Sequence, residues 1–157
     1  MKEVLKNWQN ALIFCNSKLA KWLLLPGYST IMLFLCVFSK EVELDECTIR
    51  HENIHRLQYV DCFIVGLIIA LLCYMLGISW YILLWLPLLM YYIMYCIEYC
   101  ISFAYHICKG KTCKQACMYS AGAMEMEAKS NEHNADYLHQ RPFLAFVDYY
   151  GSICQDK

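Results

Sequence analysis

Charged residues are scarce in this 157-residue chain, and none of its segments is strongly basic. Asp, Glu, Lys and Arg make up 17% of the sequence, against about 25% in an average soluble protein. Hydrophobic residues make up 60%, and the net charge is −1. This composition excludes an intrinsically disordered chain, and the lack of a basic stripe excludes a nucleic-acid-binding protein.

The longest stretch without charge runs from Cys62 to Ile97, which is 36 residues. One helix of that length would measure about 54 Å, whereas the hydrocarbon core of a bilayer is about 30 Å thick. The stretch therefore has to break, first at Gly77-Ile78-Ser79 or else at Leu86-Pro87. We expect a membrane hairpin of two spans, about 58–76 and 80–107. A hairpin buried in a soluble protein is the alternative, but the rest of the chain is too short to cover it.

Basic residues flank the hairpin and are missing from its turn. Two precede the first span and three follow the second span: Arg50, Arg56, Lys109, Lys111 and Lys114. The positive-inside rule therefore predicts an integral membrane protein with both ends in the cytoplasm and the Gly77 turn outside.

The whole chain, 1–157, reads as one domain of mainly α class. We expect an amphipathic interfacial helix over 1–27 and an apolar, strand-like segment over 28–45. The H-E-x-x-H helix and the hairpin follow over 46–108, and a cytoplasmic segment with a further helix occupies 109–157. Within the second segment, Tyr28 to Phe38 is too short to span as a helix. It is either an edge strand that binds an extended peptide or a segment that contacts the membrane.

The eleven cysteines do not predict a disulfide framework. Their number is odd, several lie inside the apolar spans, and the soluble parts are predicted on the reducing side. His106 with Cys108, Cys113 and Cys117 matches no zinc-knuckle spacing. Free thiols are the expected state.

One motif predicts chemistry, the H-E-x-x-H sequence from His51 to His55. On a helix, positions i and i+4 share a face, so both imidazoles can bind one Zn²⁺ ion. Glu52 lies beside such an ion, where it can take a proton from the attacking water and pass it to the leaving amine. The alternative is a solvated helical turn with two ordinary histidines.

A zinc peptidase of this kind needs a third ligand, which the gluzincin type takes from a glutamate on a downstream helix. Glu125-Met126-Glu127-Ala128 lies about 70 residues after the motif, in a helix-favouring segment. Two spans return this segment to the membrane face on which His51 lies, so the predicted topology permits the site.

The chain resembles small membrane proteins of Bacteroides-type bacteria and their phages or mobile elements. These proteins carry H-E-x-x-H-x-x-Q, an apolar hairpin and a later F-E-x-E-A-Y-x-N-E segment. The matching residues here are 50–58, 124–128 and Asn131-Glu132. More distantly the arrangement is similar to membrane gluzincins of the HtpX/CAAX-protease type and to the zinc protease domain of β-lactam sensor receptors. The close resemblance covers about residues 28 to 145 and implies a bacterial inner-membrane location.

The resemblance implies roles for several residues. The gluzincin pattern E-x-x-A-D places its zinc-binding glutamate at Glu125, but Lys129 stands where that pattern has an aspartate. A second register of the pattern starts at Glu132 and contains Asp136, so Glu132 is the next candidate and Glu127 the third. Apart from the resemblance, the candidates for polarising a carbonyl are His133, His139 and Tyr137, with ordinary surface residues as the alternative, and Asp136 is a candidate for orienting a ligand. Glu98 is a costly charge in the second span, and it either hydrogen-bonds a histidine or snorkels to the interface.

The sequence thus predicts a cytoplasm-facing membrane zinc metallopeptidase that acts on a membrane-associated or unfolded protein segment. Its expected partners are the lipid bilayer and a protein or peptide substrate, and its expected cofactor is Zn²⁺. A di-iron enzyme would need a second E-x-x-H, which the chain lacks, and the histidine boxes of desaturases need more than five histidines. The remaining rival is a non-catalytic membrane interaction protein with a structural or vestigial metal site.

Overall fold

The computed structural model describes residues 12–24 and 29–153, and within them the protein is mainly helical with one small sheet. The strands are β1 (Ile13–Phe14), β2 (Thr30–Leu33) and β3 (Cys36–Ser39). The helices are α1 (Lys18–Leu23), α2 (Glu46–Met75), α3 (Trp80–Leu83), α4 (Trp85–Cys108), α5 (Cys113–Tyr119), α6 (Ala123–Asn131) and α7 (Tyr137–Gln140), followed by a 3₁₀ helix (Ala145–Ser152). The predicted mainly α fold with a short β element before the H-E-x-x-H helix is confirmed.

The long apolar stretch breaks where the sequence predicted. Gly77 has a φ of +86°, a left-handed conformation that favours glycine, and its N–H donates to the carbonyl of Tyr74 to end α2. A second interruption separates α3 from α4 at Leu84. Pro87 follows in the first turn of α4, where a missing N–H costs no helical hydrogen bond.

The two long helices, α2 and α4, pack closely midway between the motif and the Gly77 turn. A Cβ atom added to Gly66 would lie 2.7 Å from the Cα of Pro87, so only glycine permits this approach. Nearer the motif, the hydroxyl of Tyr59 donates to the carbonyl of Leu88 over 3.2 Å. These contacts fix the position of α4 along α2, and so determine which residues of α4 face the H-E-x-x-H turn.

Both long helices are apolar enough to cross a bilayer, and most of their apolar surface is exposed. Only 33% of the apolar window of α2 and 22% of that of α4 is buried. The exposed side chains include Leu71, Met75 and Leu76 on or after α2 and Trp80 and Trp85 beyond the turn. A core helix of a soluble protein would be mostly buried, so this exposure favours contact with lipid.

The small sheet lies beside the motif. Its order is β1-β3-β2, with β1 parallel and β2 antiparallel to β3, so among the described residues β2 lies at an edge of the sheet. The turn of the β2–β3 hairpin contacts α4, where the N–H of Phe34 donates to the hydroxyl of Tyr92. The described part of the predicted strand-like segment, which begins at Ser29, therefore contributes two strands in place of the single one that its length suggested.

The predicted amphipathic helix over 1–27 is wrong in its described part. Residues 1–11 and 25–28 lie outside the described residues, and the rest form β1 and the six-residue α1. Asn16, at a φ of +52°, separates the two elements. Pairing of Ile13 and Phe14 with β3 overrides the helical spacing of the apolar residues.

Candidate metal centre

The first turns of α2 bring the two motif histidines onto one face, opposite α6. The Nε2 atoms of His51 and His55 lie 3.1 Å apart. Oε2 of Glu125 lies 3.8 Å from Nε2 of His51 and 3.3 Å from Nε2 of His55. In a tetrahedral zinc site with bonds of about 2.0–2.1 Å, neighbouring ligand atoms lie ~3.3 Å apart. These three residues therefore form a group that can hold a metal ion.

The other ring nitrogen of each histidine faces a hydrogen-bond acceptor. Nδ1 of His51 lies 2.8 Å from Oε2 of Glu132, and Nδ1 of His55 lies 2.8 Å from Oε1 of Gln58. With the hydrogen on Nδ1 in both rings, the Nε2 lone pairs of both point toward Glu125. Two lone pairs 3.1 Å apart repel each other unless a cation lies between them, so the arrangement suits a metal ion.

The orientation of Gln58 is fixed by its own partners. Its Nε2 donates to the carbonyl of Met124 over 2.9 Å and to Oε2 of Glu127 over 3.0 Å. Both partners are acceptors, so the amide nitrogen faces them and the amide oxygen must face His55. Gln58 is fully buried, which makes this small network a rigid support for the ring of His55.

Glu127 belongs to this support and lies away from the three converging ligand atoms. Its carboxylate accepts hydrogen bonds from Arg141 at 2.5 and 3.2 Å and from the hydroxyl of Tyr137 at 3.0 Å. Arg141 also pairs with Asp61 of α2 at 2.6 Å. Although burial on its own lowers the pKa of Arg141, the hydrogen bonds that it donates to Glu127 and Asp61 raise it, so the guanidinium stays charged. This buried ion pair ties α7 and its flank to both α2 and α6.

Glu98 positions α6, the helix that carries Glu125. Its side chain is 2% exposed, and its Oε2 accepts the N–H of Met124 over 3.1 Å at the first turn of α6. A carboxylate is favoured at a helix N-terminus because backbone N–H groups there lack partners. Gly122 leaves room for it, since a Cβ atom there would lie 2.5 Å from Oε2 of Glu98. Glu98 thus contacts the start of α6, and it neither bonds to a histidine nor reaches the surface.

The carboxylate of Glu125 is held by charges on both sides. Besides the two histidines, Nζ of Lys129 lies 3.1 Å from its Oε1, one helical turn away. With the two histidines protonated instead of metal-bound, burial raises the pKa of Glu125, but the hydrogen bond and charge of His55, with the charges of His51 and Lys129, bring it well below the usual range. The group is therefore an anion, the form that binds a metal.

Glu52 faces a cavity of about 400 Å³ that the histidines and Glu125 also line. Its Oε1 accepts a hydrogen bond of 2.6 Å from the hydroxyl of Thr30, on β2. One wall of the cavity is β2, through Thr30, Ile31 and Met32, and the opposite wall is α4, through Tyr91, Tyr92 and Tyr95. A substrate in this cavity would thus lie between an edge strand and a row of phenols.

The other residues suggested by the sequence lie outside this cavity. Glu132 faces Nδ1 of His51, on the opposite ring edge from Glu125. His133 contacts Cys47, and its side chain is 81% exposed. Tyr137 bonds to Glu127, while Asp136 and His139 are exposed. His106 is buried beside Lys111, with 3.1 Å between its Nδ1 and Nζ. The ten cysteines in the described part of the chain are free.

Several residues of the site were not assigned a role from the sequence. Gln58 follows His55 by three positions, so it reaches the same helix face, and this spacing was a usable signal. Tyr95 lies with its hydroxyl 3.4 Å from Oε2 of Glu125. Thr30 and Arg141 come from distant segments, and no spacing connects them to the motif.

Comparisons with protein-family models, with curated proteins and with solved structures give no match to this chain.

Proposed function

We propose that this protein is a zinc-dependent membrane metallopeptidase, with the metal held by His51, His55 and Glu125. The observation that carries the proposal is the convergence of two imidazole Nε2 atoms and one carboxylate, with an acceptor on each Nδ1. Two nitrogens and one oxygen are a ligand set of catalytic zinc sites, which keep a further position open. A zinc ion bound there would supply the Lewis acidity that activates water and polarises a carbonyl.

Glu52 is the proposed general base. It lines the cavity next to both histidines, but its carboxylate is not one of the three converging ligands. The hydrogen bond from Thr30 holds one of its oxygens, which leaves the other to take a proton from water and deliver it to the leaving amine.

Tyr95 is the proposed donor to the oxyanion that forms on the attacked carbonyl. Its ring lines the cavity, and its hydroxyl lies near Glu125, on the metal side of the cavity. A phenol placed where negative charge develops stabilises the transition state.

The cavity walls suggest how a substrate binds. Within the described residues β2 has a strand partner, β3, on one side only. An extended peptide can pair with the outer edge of β2 by main-chain hydrogen bonds. It would then pass in front of Glu52, since Thr30 of β2 contacts that carboxylate.

The substrate is proposed to be a membrane-associated or unfolded segment. Along α2, His55 and Met75 are about 30 Å apart, the thickness of the hydrocarbon core. If α2 and α4 cross the bilayer, the site lies at one membrane surface. The basic residues after α4, which are Lys109, Lys111 and Lys114, favour the cytoplasmic side for it. The inner membrane of a bacterium is the proposed location.

The test is peptidase activity of the full chain in detergent micelles, with fluorescently labelled casein as an unfolded probe. Glu52→Gln should lower the cleavage rate by about 10²–10⁴-fold while bound zinc is retained. Glu46→Gln, at an exposed position on the same helix, should change neither. A zinc chelator should abolish cleavage by the wild type, and added zinc should restore it.

One observation favours the rival, a non-catalytic membrane protein with a structural metal site. Lys129 already neutralises Glu125 across 3.1 Å, a contact that weakens the carboxylate as a ligand. The same assay decides between the two. If zinc is bound and Glu52→Gln cleaves casein as fast as the wild type, the metal is structural and the peptidase proposal fails.

A further inference from the structure

A second group of metal-ligating side chains lies behind the first. Cys47 is in the first turn of α2, and Glu132 and His133 directly follow α6. Each offers one ligand atom, and these atoms all lie within 4.8 Å of one another. Sγ of Cys47 and Nδ1 of His133 are 3.2 Å apart. The group thus joins the start of α2 to the end of α6.

The donor types of this group differ from those of the first site. It combines a thiol, an imidazole and a carboxylate, whereas His51, His55 and Glu125 offer only nitrogen and oxygen. A thiolate selects borderline or soft ions such as Zn²⁺ and disfavours Mg²⁺ and Ca²⁺. We propose that Cys47, Glu132 and His133 form a second site for Zn²⁺ or a similar divalent ion.

The surroundings of the group suit a cation. The negative charges of Glu132 and Asp45 lie close enough to Cys47 to favour a cation beside it, whereas the positive charge of Arg50 disfavours one. The side chain of His133 is 81% exposed, so its ring can turn toward an ion, and water can fill the remaining position. The site is therefore an exposed one that binds metal from solution.

Glu132 connects the two sites. Its Oε2 lies 2.8 Å from Nδ1 of His51, and its Oε1 lies 3.6 Å from Nε2 of His133. An ion bound at the second site fixes this carboxylate in the position where it orients His51. The second site thus stabilises the first through Glu132. Its existence does not depend on peptidase activity.

A cysteine beside a histidine is also the arrangement of a thiol nucleophile. Cys47 is not among the residues that line the cavity beside Glu52. Metal binding is therefore the favoured role for the pair.

Co²⁺ titration of the full chain in micelles, with a phosphine reductant, tests the site. Thiolate ligation gives Co²⁺ a near-ultraviolet charge-transfer band that nitrogen and oxygen ligands do not give. We expect two Co²⁺ per wild-type chain, with this band from one of them. Cys47→Ser and His133→Ala should each lower the stoichiometry to one and abolish the band. Both side chains are at least partly exposed, so both variants should fold.

Two controls keep the result specific. Cys113→Ser should leave the band intact, which excludes the exposed pair Cys113 and Cys117 on α5 as its source. His55→Ala should remove the other ion and keep the band, so failure of one site is distinguishable from failure of the other. A band that survives in Cys47→Ser overturns the proposal. The proposal is also overturned if no band forms and Cys47 reacts rapidly with an alkylating reagent. In that case Cys47 is a nucleophile and not a metal ligand.

Discussion

At the scale of single residues, the site depends on what each histidine does with its second nitrogen. H-E-x-x-H spacing is enough to predict that His51 and His55 share a helix face, because that geometry is local. The acceptors on their Nδ1 atoms are harder to predict, because Glu132 lies 81 residues from His51 and becomes its neighbour only through the fold. Glu125 and Glu132 face different nitrogens of His51, and Glu125 also approaches Nε2 of His55.

Gln58 provides a prediction at this scale. Gln58→Leu removes the acceptor on Nδ1 of His55 at similar side-chain volume, so zinc affinity should fall by about 10–100-fold. Competition with a chromophoric chelator measures the affinity. Gln115→Leu, at an exposed glutamine in the cap of α5, is the matched control and should bind zinc as the wild type does. Equal affinity of Gln58→Leu and the wild type would contradict the role assigned to Gln58.

At the scale of elements, the placement of α6 decides whether a third ligand exists. The sequence predicts a helix-favouring segment there, and it flags Glu98 as a costly charge in an apolar helix. It does not connect the two, because Glu98 and Gly122 are 24 positions apart with a change of direction between them. In the structure, the Glu98 carboxylate caps α6, the helix that carries Glu125.

Gly122→Ala tests the cap. Its Cβ atom would overlap the carboxylate of Glu98, so the protein should lose about 1–3 kcal/mol of stability against unfolding. Zinc affinity should also fall as α6 shifts. Gly151→Ala is the control, since a Cβ atom there meets nothing within 4 Å. Chemical denaturation followed by circular dichroism measures both variants, and equal unfolding midpoints for the two would contradict the close contact.

At the scale of the whole molecule, the hairpin carries most of the exposed apolar side chains, and its second helix, α4, forms one wall of the site. Composition alone predicts two spans, because charge-free length is a property of the sequence. The small sheet was predicted only in part, since β1 depends on pairing with β3 across more than twenty residues. Thr30 lies on β2 and Arg141 directly follows α7, so both come from segments far from the motif in sequence. This distance explains why the motif did not reveal them.

Leu71→Lys tests membrane insertion. Leu71 is 63% exposed in the apolar part of α2, and a lysine near the centre of a span costs about 2.5–3.5 kcal/mol. The variant should leave the membrane fraction or be degraded. Val42→Lys, at an exposed position outside the hairpin, should remain in that fraction as the wild type does. An unchanged amount of folded Leu71→Lys protein in the membrane fraction would contradict a lipid-facing α2.

The central claim is that His51, His55 and Glu125 hold one metal ion. The most direct measurement is calorimetric zinc titration of Cys47→Ser protein, in which the first site alone remains. We predict one zinc per chain, lost when Glu125→Ala is added and kept when Glu46→Ala is added. If Glu125→Ala binds one zinc with unchanged affinity, Glu125 is not a ligand and the proposed centre is wrong.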